Sequence, residues 1–470
     1  MLRTILENIL LFYQHFALAY FAALNLLYAL NSYWGLRSIL AASREGSLVG
    51  MADLLAGGLH QPVSVLVPAY NEEKSIVASV GSFLALNYPE FEVIVVSDGS
   101  KDATMDRLKQ AFMLQESFEV RRKIVPTAEV RAVYTSPLYP NLTVVEKANG
   151  GKADALNAAL NLARYPLVCS VDADSLLDGE ALLRASRMFV EDDTVIGVGG
   201  TIRPLNGSRV AGGRVEELRL PSTWIELFQV VEYARAFLSG RSGWAHFDAL
   251  LVISGAFGVF RREVVLAVGA YDVDTVGEDM EIVLRMHRYY CDRGLPYRIV
   301  FTPDPLCWTE VPSDFGSLRR QRNRWQRGLW ETLWTHRAMM FNPRYGKIGL
   351  IALPYFMFFE GLAPVVEAMG CVFLPASLLL KMLFPEYAVL FLALAFLYGM
   401  LLSQLALGIE SLMNVRYNRV TDRLILLVAA FFEQLGFRQL LAFERLVATL
   451  QVWKKRGTWG AMRRVGISSQ

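Results

Sequence analysis

Leu167-Val168-Cys169-Ser170-Val171-Asp172-Ala173-Asp174-Ser175 is an apolar run that stops at two carboxylates. Its length and aliphatic content read as a buried strand, and the polar step puts Asp172 and Asp174 at the strand's carboxyl end. Similar runs lie on either side, at Val63 to Val67, Phe91 to Ser97, Leu142 to Val145, Val195 to Val198 and Leu251 to Phe260. Helical patterns at Glu73 to Leu84, Ala103 to Leu114 and Lys152 to Arg164 separate several of them. Strands alternating with helices predict an α/β, Rossmann-like domain with a mainly parallel sheet. Ligands of such sheets bind beyond the carboxyl ends of the strands, so those ends carry the functional reading.

The first run leads into Pro68-Ala69-Tyr70-Asn71-Glu72-Glu73 and the second into Asp98-Gly99-Ser100. Taken singly, Asn71 reads as a helix N-cap and Asp98-Gly99 as a turn. Together, their acids sit where a nucleotide would lie, and a carboxylate accepts the N–H of a uracil ring. Glu146-Lys147-Ala148-Asn149-Gly150-Gly151-Lys152 opens a helix with glycines and a lysine, which suits a diphosphate at a helix N-terminus. It is not a Walker A loop, because Glu146 stands where the first glycine belongs and Ala153 where Ser or Thr belongs. Asp172 and Asp174 need not be equivalent. One of them can bind Mg²⁺ or Mn²⁺ directly while the other reaches the sugar or a metal-bound water, and the cation would neutralise a leaving diphosphate.

Ser254-Gly255 is a glycine-bearing strand end where backbone can approach a substrate. Gly277-Glu278-Asp279 opens a helix, and acids in a first turn complement the helix dipole. Direct displacement at a sugar's anomeric carbon also needs a base for the acceptor hydroxyl; Asp279 is the candidate and Glu278 its rival. Gln321-Arg322-Asn323-Arg324-Trp325 begins a basic, aromatic helix with Leu318, Trp325, Leu329 and Leu333 near one face, the pattern of a helix lying on a membrane surface. Its arginines can also pair with diphosphate oxygens, and its tryptophan suits a sugar ring.

A hydrophobic fraction of 53% and a mean hydropathy of +0.31 are too high for a wholly soluble chain. Lys plus Arg (47) and Asp plus Glu (45) nearly balance, and no zinc-finger spacing occurs, so nothing points to nucleic acid. The four cysteines form no C-x-x-C pair, which fits a reducing compartment. Apolar stretches at Ile9 to Trp34, Leu350 to Met382 and Tyr387 to Met413 predict transmembrane helices, the first uncleaved. Basic residues after the first and third, and in the tail, predict a multi-pass protein of the cell (inner) membrane. The N-terminus would lie outside, with the central domain and C-terminus in the cytoplasm. Leu424 to Trp453 then has both ends inside and carries Glu433, Arg438, Glu444 and Arg445, so it reads as interfacial or re-entrant.

In this order, PAYNEE, SDGS, GGKADALN, DADS, SGAFG, GED and QRNRW resemble the family 2 processive membrane glycosyltransferases, which include hyaluronan, chitin, cellulose and poly-N-acetylglucosamine synthases. The resemblance spans roughly Pro62 to Arg344. It implies a GT-A fold and inversion at the anomeric carbon. By motif, Tyr70, Glu72 and Asp98 would hold uridine, Lys152 would approach the nucleotide, and Asp172 and Asp174 would contact donor and metal. Asp279 would be the general base, and Gln321, Arg322, Arg324 and Trp325 would bind diphosphate and acceptor. Trp459-Gly460-Ala461-Met462-Arg463 is loosely similar to a gating loop, with Trp459 and Arg463 as its key residues and Ala461 replacing a threonine.

The domains expected are 1–60, a membrane helix and linker; 61–320, the cytoplasmic GT-A domain; 321–345, an amphipathic interface helix; 346–453, transmembrane and interfacial helices; and 454–470, a basic tail. The expected activity is transfer from a UDP-sugar, UDP-N-acetylglucosamine or UDP-glucose favoured, to a growing glycan. Hyaluronan and cellulose synthases continue past their gating loop into further membrane helices, so here either a partner subunit or second copy completes a channel, or the enzyme adds few sugars to a lipid acceptor. The alternative is single transfer to a membrane lipid or polyprenyl phosphate, against which QRNRW argues. A catalytically dead scaffold is disfavoured because Asp98, Asp172, Asp174 and Asp279 are all present.

Overall fold

Val63 to Val67 are buried without a break, because their strand, Val63–Ala69 (β1), lies mid-sheet with a parallel neighbour on each side. This is seen in a computed structural model that describes residues 2–45, 58–117, 123–381, 385–412, 417 and 419–452. The remaining strands are Phe91–Asp98 (β2), Gln115–Glu116 (β3), Val130–Thr135 (β4), Leu142–Lys147 (β5), Leu167–Ser170 (β6), Ser175–Leu177 (β7), Val195–Pro204 (β8), Arg209–Ala211 (β9), Arg214–Glu217 (β10), Gly258–Arg261 (β11) and Arg298–Thr309 (β12). The main sheet runs β3-β4-β5-β2-β1-β6-β11-β8-β12-β7, while β9 and β10 form a separate hairpin. Its centre, β5-β2-β1-β6, is parallel. Antiparallel strands β4 and β11 flank that centre, so the sheet is mixed.

Alternation along β1 feeds two cores. Val63, Val65 and Val67 pack with Ile76, Val80 and Phe83 on one face, and Leu66 packs with Leu156, Ala159 and Leu160 on the other. Register aligns the strand ends: Ala69 sits opposite Ser97, and Asp98 opposite Lys147. The loops after β1, β2, β5 and β6 therefore open along one edge. Two expectations shift here. Of Leu251 to Phe260 only Gly258–Arg261 is strand, the rest turning at Ser254 to Phe257; and β4 and β12 were not read as strands. Proline at 303 and 305 and Asp304 hid β12.

Among the described residues, three helices are long and apolar enough to cross a membrane: Glu7–Leu40, Ile348–Leu379 and Val420–Gln451, with Gly399–Glu410 a shorter apolar helix. The third of these is the segment expected to be interfacial, and by composition it qualifies as a span. Its backbone, however, leaves the helical region at Leu435 (φ −100°, ψ 88°) and Gly436 (φ 92°, ψ −43°). The pieces Val420–Phe432 and Arg438–Gln451 are each ~20 Å long, short of a ~30 Å hydrocarbon core. The charges that suggested an interface are satisfied by protein instead. Glu433 pairs with Arg235 at 2.8 Å, Glu444 with Arg319 at 3.1 Å, and Arg445 with Gln326 at 2.8 Å and Glu360 at 3.5 Å. The expected span Tyr387 to Met413 is represented by helices Pro385–Leu392 and Tyr398–Leu412 joined by a π-helical turn.

The QRNRW helix also differs from expectation. It runs Phe315–Thr335, and it does not lie on the surface as a free amphipath. Arg322, Gln326 and Arg327 are buried, and Gln326 and Trp330 hydrogen-bond Thr449 on the helix Arg438–Gln451. These residues are buried because that part of the helix is wedged between the sheet domain and Arg438–Gln451, while Arg319 and Arg320 stay exposed. Trp459 and Arg463 lie outside the described residues.

Candidate active site

Two strand-end loops form the outer wall. Asn71 adopts a left-handed backbone (φ 57°) and is not a helix N-cap; the helix Ile76–Leu84 begins after Ser75. Its side chain instead accepts from Lys101 N at 2.8 Å, while Glu72 N donates to Thr104 Oγ1 at 2.9 Å and Glu73 N to Asp102 at 3.1 Å. These bonds stitch the loop after β1 to the loop after β2. Tyr70 stands 45% exposed at the rim, free to stack, whereas Glu72 is buried and accepts from Ser75 Oγ. Gly99 has φ 69°, and a Cβ there would come within 2.8 Å of Asn149 N, so only glycine fits this approach.

Behind that wall lies a buried ion cluster of which only Asp98 was singled out from sequence. Lys147, fully buried, reaches Asp98 and Asp154 at 2.5 Å each. Asp98 also accepts Gly150 N, Gly151 N and the Asn149 amide. Asp154 accepts Ala128 N. The signal for Lys147 was its place opposite Asp98 in the β2–β5 register, which a sequence does not print.

Lys152 opens the helix Lys152–Leu162 and ties two distant segments together. Its ammonium lies 2.6 Å from Asp172 beyond β6 and 3.2 Å from Glu278 at the start of Glu278–Arg293. Burial pulls the Lys152 ammonium down, but Asp172, Glu278 and Asp279 outweigh it and hold it well above its ordinary value, so it stays charged. Burial pushes the Glu278 carboxyl up, against the opposing pull of Lys152. Gly255 leaves room for this lysine: a Cβ on it would lie 2.5 Å from Lys152 Nζ and 3.8 Å from Asp279 Cβ. Asp279 accepts Gly255 N at 3.2 Å and Met280 N at 2.9 Å, and it is less buried than Glu278. Asp174 is buried beside the half-buried Asp172.

The QRNRW helix packs against the start of Glu278–Arg293. A Cβ on Gly277 would fall 2.9 Å from Gly328 Cα, so the two backbones touch and Glu278 comes within electrostatic reach of Arg324. Arg322, 4% exposed, pairs with Glu232 at 2.6 Å and stacks 4.2 Å from the centre of the Trp325 ring. Among the described residues its Nε and Nη1, and Gln321 Oε1, are buried without a hydrogen-bond partner. Trp325 is 44% exposed. Ser254 turns toward Phe257 N through its carbonyl and supports the Gly255 turn. One neighbour went unread: Arg241, at the end of a π-helical turn Arg235–Arg241, lies over Phe237 at 3.8 Å and within electrostatic reach of Asp279. Burial pulls its guanidinium down to about 10.

The family described as "Glycosyltransferase like family 2" matches residues 60–328, more than half of the chain. The chain belongs to glycosyltransferase family 2. This family member is 28% identical over 313 residues to poly-beta-1,6-N-acetyl-D-glucosamine synthase of Staphylococcus epidermidis, covering 64% of this chain and 65% of that protein. It is 29% identical over 271 residues to the synthase of the same name from Staphylococcus aureus strain COL, covering 58% and 55%. The chain thus spans less than two thirds of the length of these curated relatives. A mannosyltransferase from Pyrobaculum calidifontis, solved in complex with GDP-Man and Mn²⁺, superposes with a TM-score of 0.54 at 17% identity, over 96% of this chain and 99% of that one. The expected GT-A fold is borne out by that likeness, and the family and enzyme class by the match over residues 60–328.

Proposed function

We propose that this family 2 enzyme moves a sugar from a UDP-sugar to a growing polysaccharide at the cytoplasmic face of the cell membrane, inverting the anomeric carbon. The observation that carries this reading is Lys152, joined at once to Asp172 beyond β6 and to Glu278 beside Asp279. One cation thereby links the end where a donor's phosphates would lie to the end where an acceptor would be activated. UDP-N-acetylglucosamine is the first donor to test, because both staphylococcal relatives are named poly-beta-1,6-N-acetyl-D-glucosamine synthases; UDP-glucose is the second.

In this reading Tyr70 and Asp98 hold uridine with Glu72 ordering their loop, and Lys152, Gln321, Arg322 and Arg324 meet the diphosphate. Trp325 and the Ser254-Gly255 turn shape the acceptor side. Asp279 takes the proton of the acceptor hydroxyl as that oxygen bonds to the anomeric carbon, and the bond from that carbon to the diphosphate breaks, releasing UDP. Asp172 and Asp174 offer oxygen ligands, and no group of three or more His, Cys, Asp or Glu side chains among the described residues could cage a metal. This donor set suits Mg²⁺ or Mn²⁺ held by Asp174 and completed by phosphate and water oxygens, its chemistry being neutralisation of the leaving diphosphate. The Pyrobaculum mannosyltransferase was itself solved with Mn²⁺.

The test is nucleotide release by the purified full-length protein with Mn²⁺ and each of UDP-N-acetylglucosamine, UDP-glucose and GDP-mannose, followed by glycosidase digestion of the product. UDP release with long products is expected. Release of GDP alone would reject the donor, and short lipid-linked products would move the acceptor to a membrane lipid.

A further inference from the structure

Asp98 is 3% exposed, and its carboxylate accepts four hydrogen bonds. Oδ1 takes Lys147 Nζ at 2.5 Å and Gly150 N at 2.9 Å; Oδ2 takes Gly151 N at 2.7 Å and the Asn149 amide at 3.1 Å. An ionised carboxylate offers about four lone-pair positions, so none is left for a nucleobase N–H. A base that binds Asp98 must displace one donor.

Three of the four cannot easily go. Lys147 is fully buried and also bound to Asp154 and to Ala148 O. Gly150 and Gly151 donate through the main chain at the start of Lys152–Leu162, and Gly150 is pressed against Asp154, whose Oδ1 would lie 2.5 Å from a Cβ there. The fourth donor is different. Asn149 is exposed, and its amide also holds Asp98 O at 2.8 Å, so it can keep that bond while its second N–H turns away from Oδ2.

We infer that Asn149 is the residue that sets nucleobase specificity: it vacates one acceptor position on Asp98, which admits uracil and rejects guanine. The inference rests on the donor reading above and deepens it. Uracil presents one ring N–H, at N3, flanked by two carbonyl oxygens. That N–H fills the vacated position on Oδ2, and the displaced amide N–H meets the adjacent carbonyl. Guanine presents N1–H and N2–H side by side and needs an acceptor for each. With Oδ1 held by Lys147 and Gly150, one guanine donor is left buried and unpaired, which weakens binding by roughly ten- to hundred-fold.

The experiment measures dissociation constants of UDP, GDP and N3-methyl-UDP on the full-length protein in detergent with Mn²⁺, for wild type and Asn149→Asp. The wild type is expected to prefer UDP over GDP by about thirty-fold or more, and to bind N3-methyl-UDP about ten-fold or more weaker than UDP. Asn149→Asp keeps the shape, removes the amide donor and supplies the second acceptor that guanine needs. It should cut the UDP-to-GDP ratio by about ten-fold, and its added charge cancels in that ratio. A ratio unchanged within about two-fold, or N3-methyl-UDP binding as tightly as UDP, overturns the role of Asn149. A wild type that prefers GDP overturns the donor reading itself, and a UDP-preferring wild type with an insensitive variant leaves that reading standing.

Discussion

The proposed nucleotide end and the proposed transfer end of the site are built from different materials. At the nucleotide end, Asp98 is met by main-chain N–H groups and by a lysine that faces it across one strand pair. At the proposed transfer end, Lys152, Asp172, Gly255, the adjacent Glu278 and Asp279, and Arg322 come from five segments: Lys152 pairs with Asp172 and Glu278, Gly255 N donates to Asp279, and Arg322 pairs with Glu232. Sheet register guarantees the first. The second depends on one backbone contact, Gly277 against Gly328, and on a helix wedged against Arg438–Gln451. Damage should therefore separate: the nucleotide end should fail in binding, the transfer end in turnover.

The largest effect is expected for Asp279→Asn. The amide keeps an oxygen for Gly255 N but cannot take a proton, so kcat should fall by about a thousand-fold, within the range for a lost general base. UDP affinity should stay within about three-fold, since the contacts of Asp98 are untouched. Retained turnover would move the base to Glu278 or elsewhere. Asp98→Asn should do the reverse. It removes the anion that Lys147, Gly150 and Gly151 share, and UDP affinity should drop by roughly ten- to hundred-fold, the scale of hydrogen bonds to a charged group. Equal losses of binding in both variants would erase the distinction between the two ends.

This contrast also marks what a reader of the sequence could see. The parallel centre of the sheet and its acidic strand ends were legible, because a buried parallel strand is a bare apolar run and Asp98, Asp172 and Asp279 each follow or open an element. Lys147 was not legible. A lysine in a glycine loop reads as exposed, and only the pairing of β2 with β5 reveals that it is the buried counter-ion of two acids. The QRNRW helix misled in the opposite direction: its arginine-rich face has the pattern of a membrane-surface helix, yet Glu232 and Trp325 receive Arg322 in the interior. The charges at 433 to 445 likewise meet partners that lie far away in sequence, such as Arg235 and Glu360, which a sequence does not reveal.

Gly255→Ala sharpens the comparison at the transfer end without removing any charge. The new methyl would stand 2.5 Å from Lys152 Nζ, and that ammonium has little freedom to retreat because Asp172 and Glu278 hold it. A misplaced lysine should lower kcat by about ten-fold, and because the proposed function also sets Lys152 against the diphosphate, UDP affinity should fall by a smaller factor. An unchanged kcat would mean that Lys152 does not serve the transfer step.

The smallest effect concerns stability, and it reaches the transfer end through His287 on the helix that begins with Glu278 and Asp279. Leu250 O can only accept, so His287 Nε2 carries the proton at 2.9 Å, and Nδ1 accepts from Tyr297 at 2.8 Å. Burial drives the imidazole from its ordinary 6.5 down to about 4, so the folded protein keeps it neutral where the unfolded chain would protonate it. The unfolded state then binds more protons, and this contribution to stability is complete above pH 6.5 and lost as pH falls toward 4, up to roughly 3 kcal/mol. His287→Gln preserves a donor for Leu250 and an acceptor for Tyr297 but has nothing to titrate. Thermal unfolding of the purified protein between pH 7.5 and pH 5 should show the wild type losing several degrees more than the variant. Identical losses would mean that His287 is not kept neutral by the fold. A loss confined to wild type, with kcat falling in step, would tie the geometry of Asp279 to the bond that His287 makes with Leu250, four residues before Ser254.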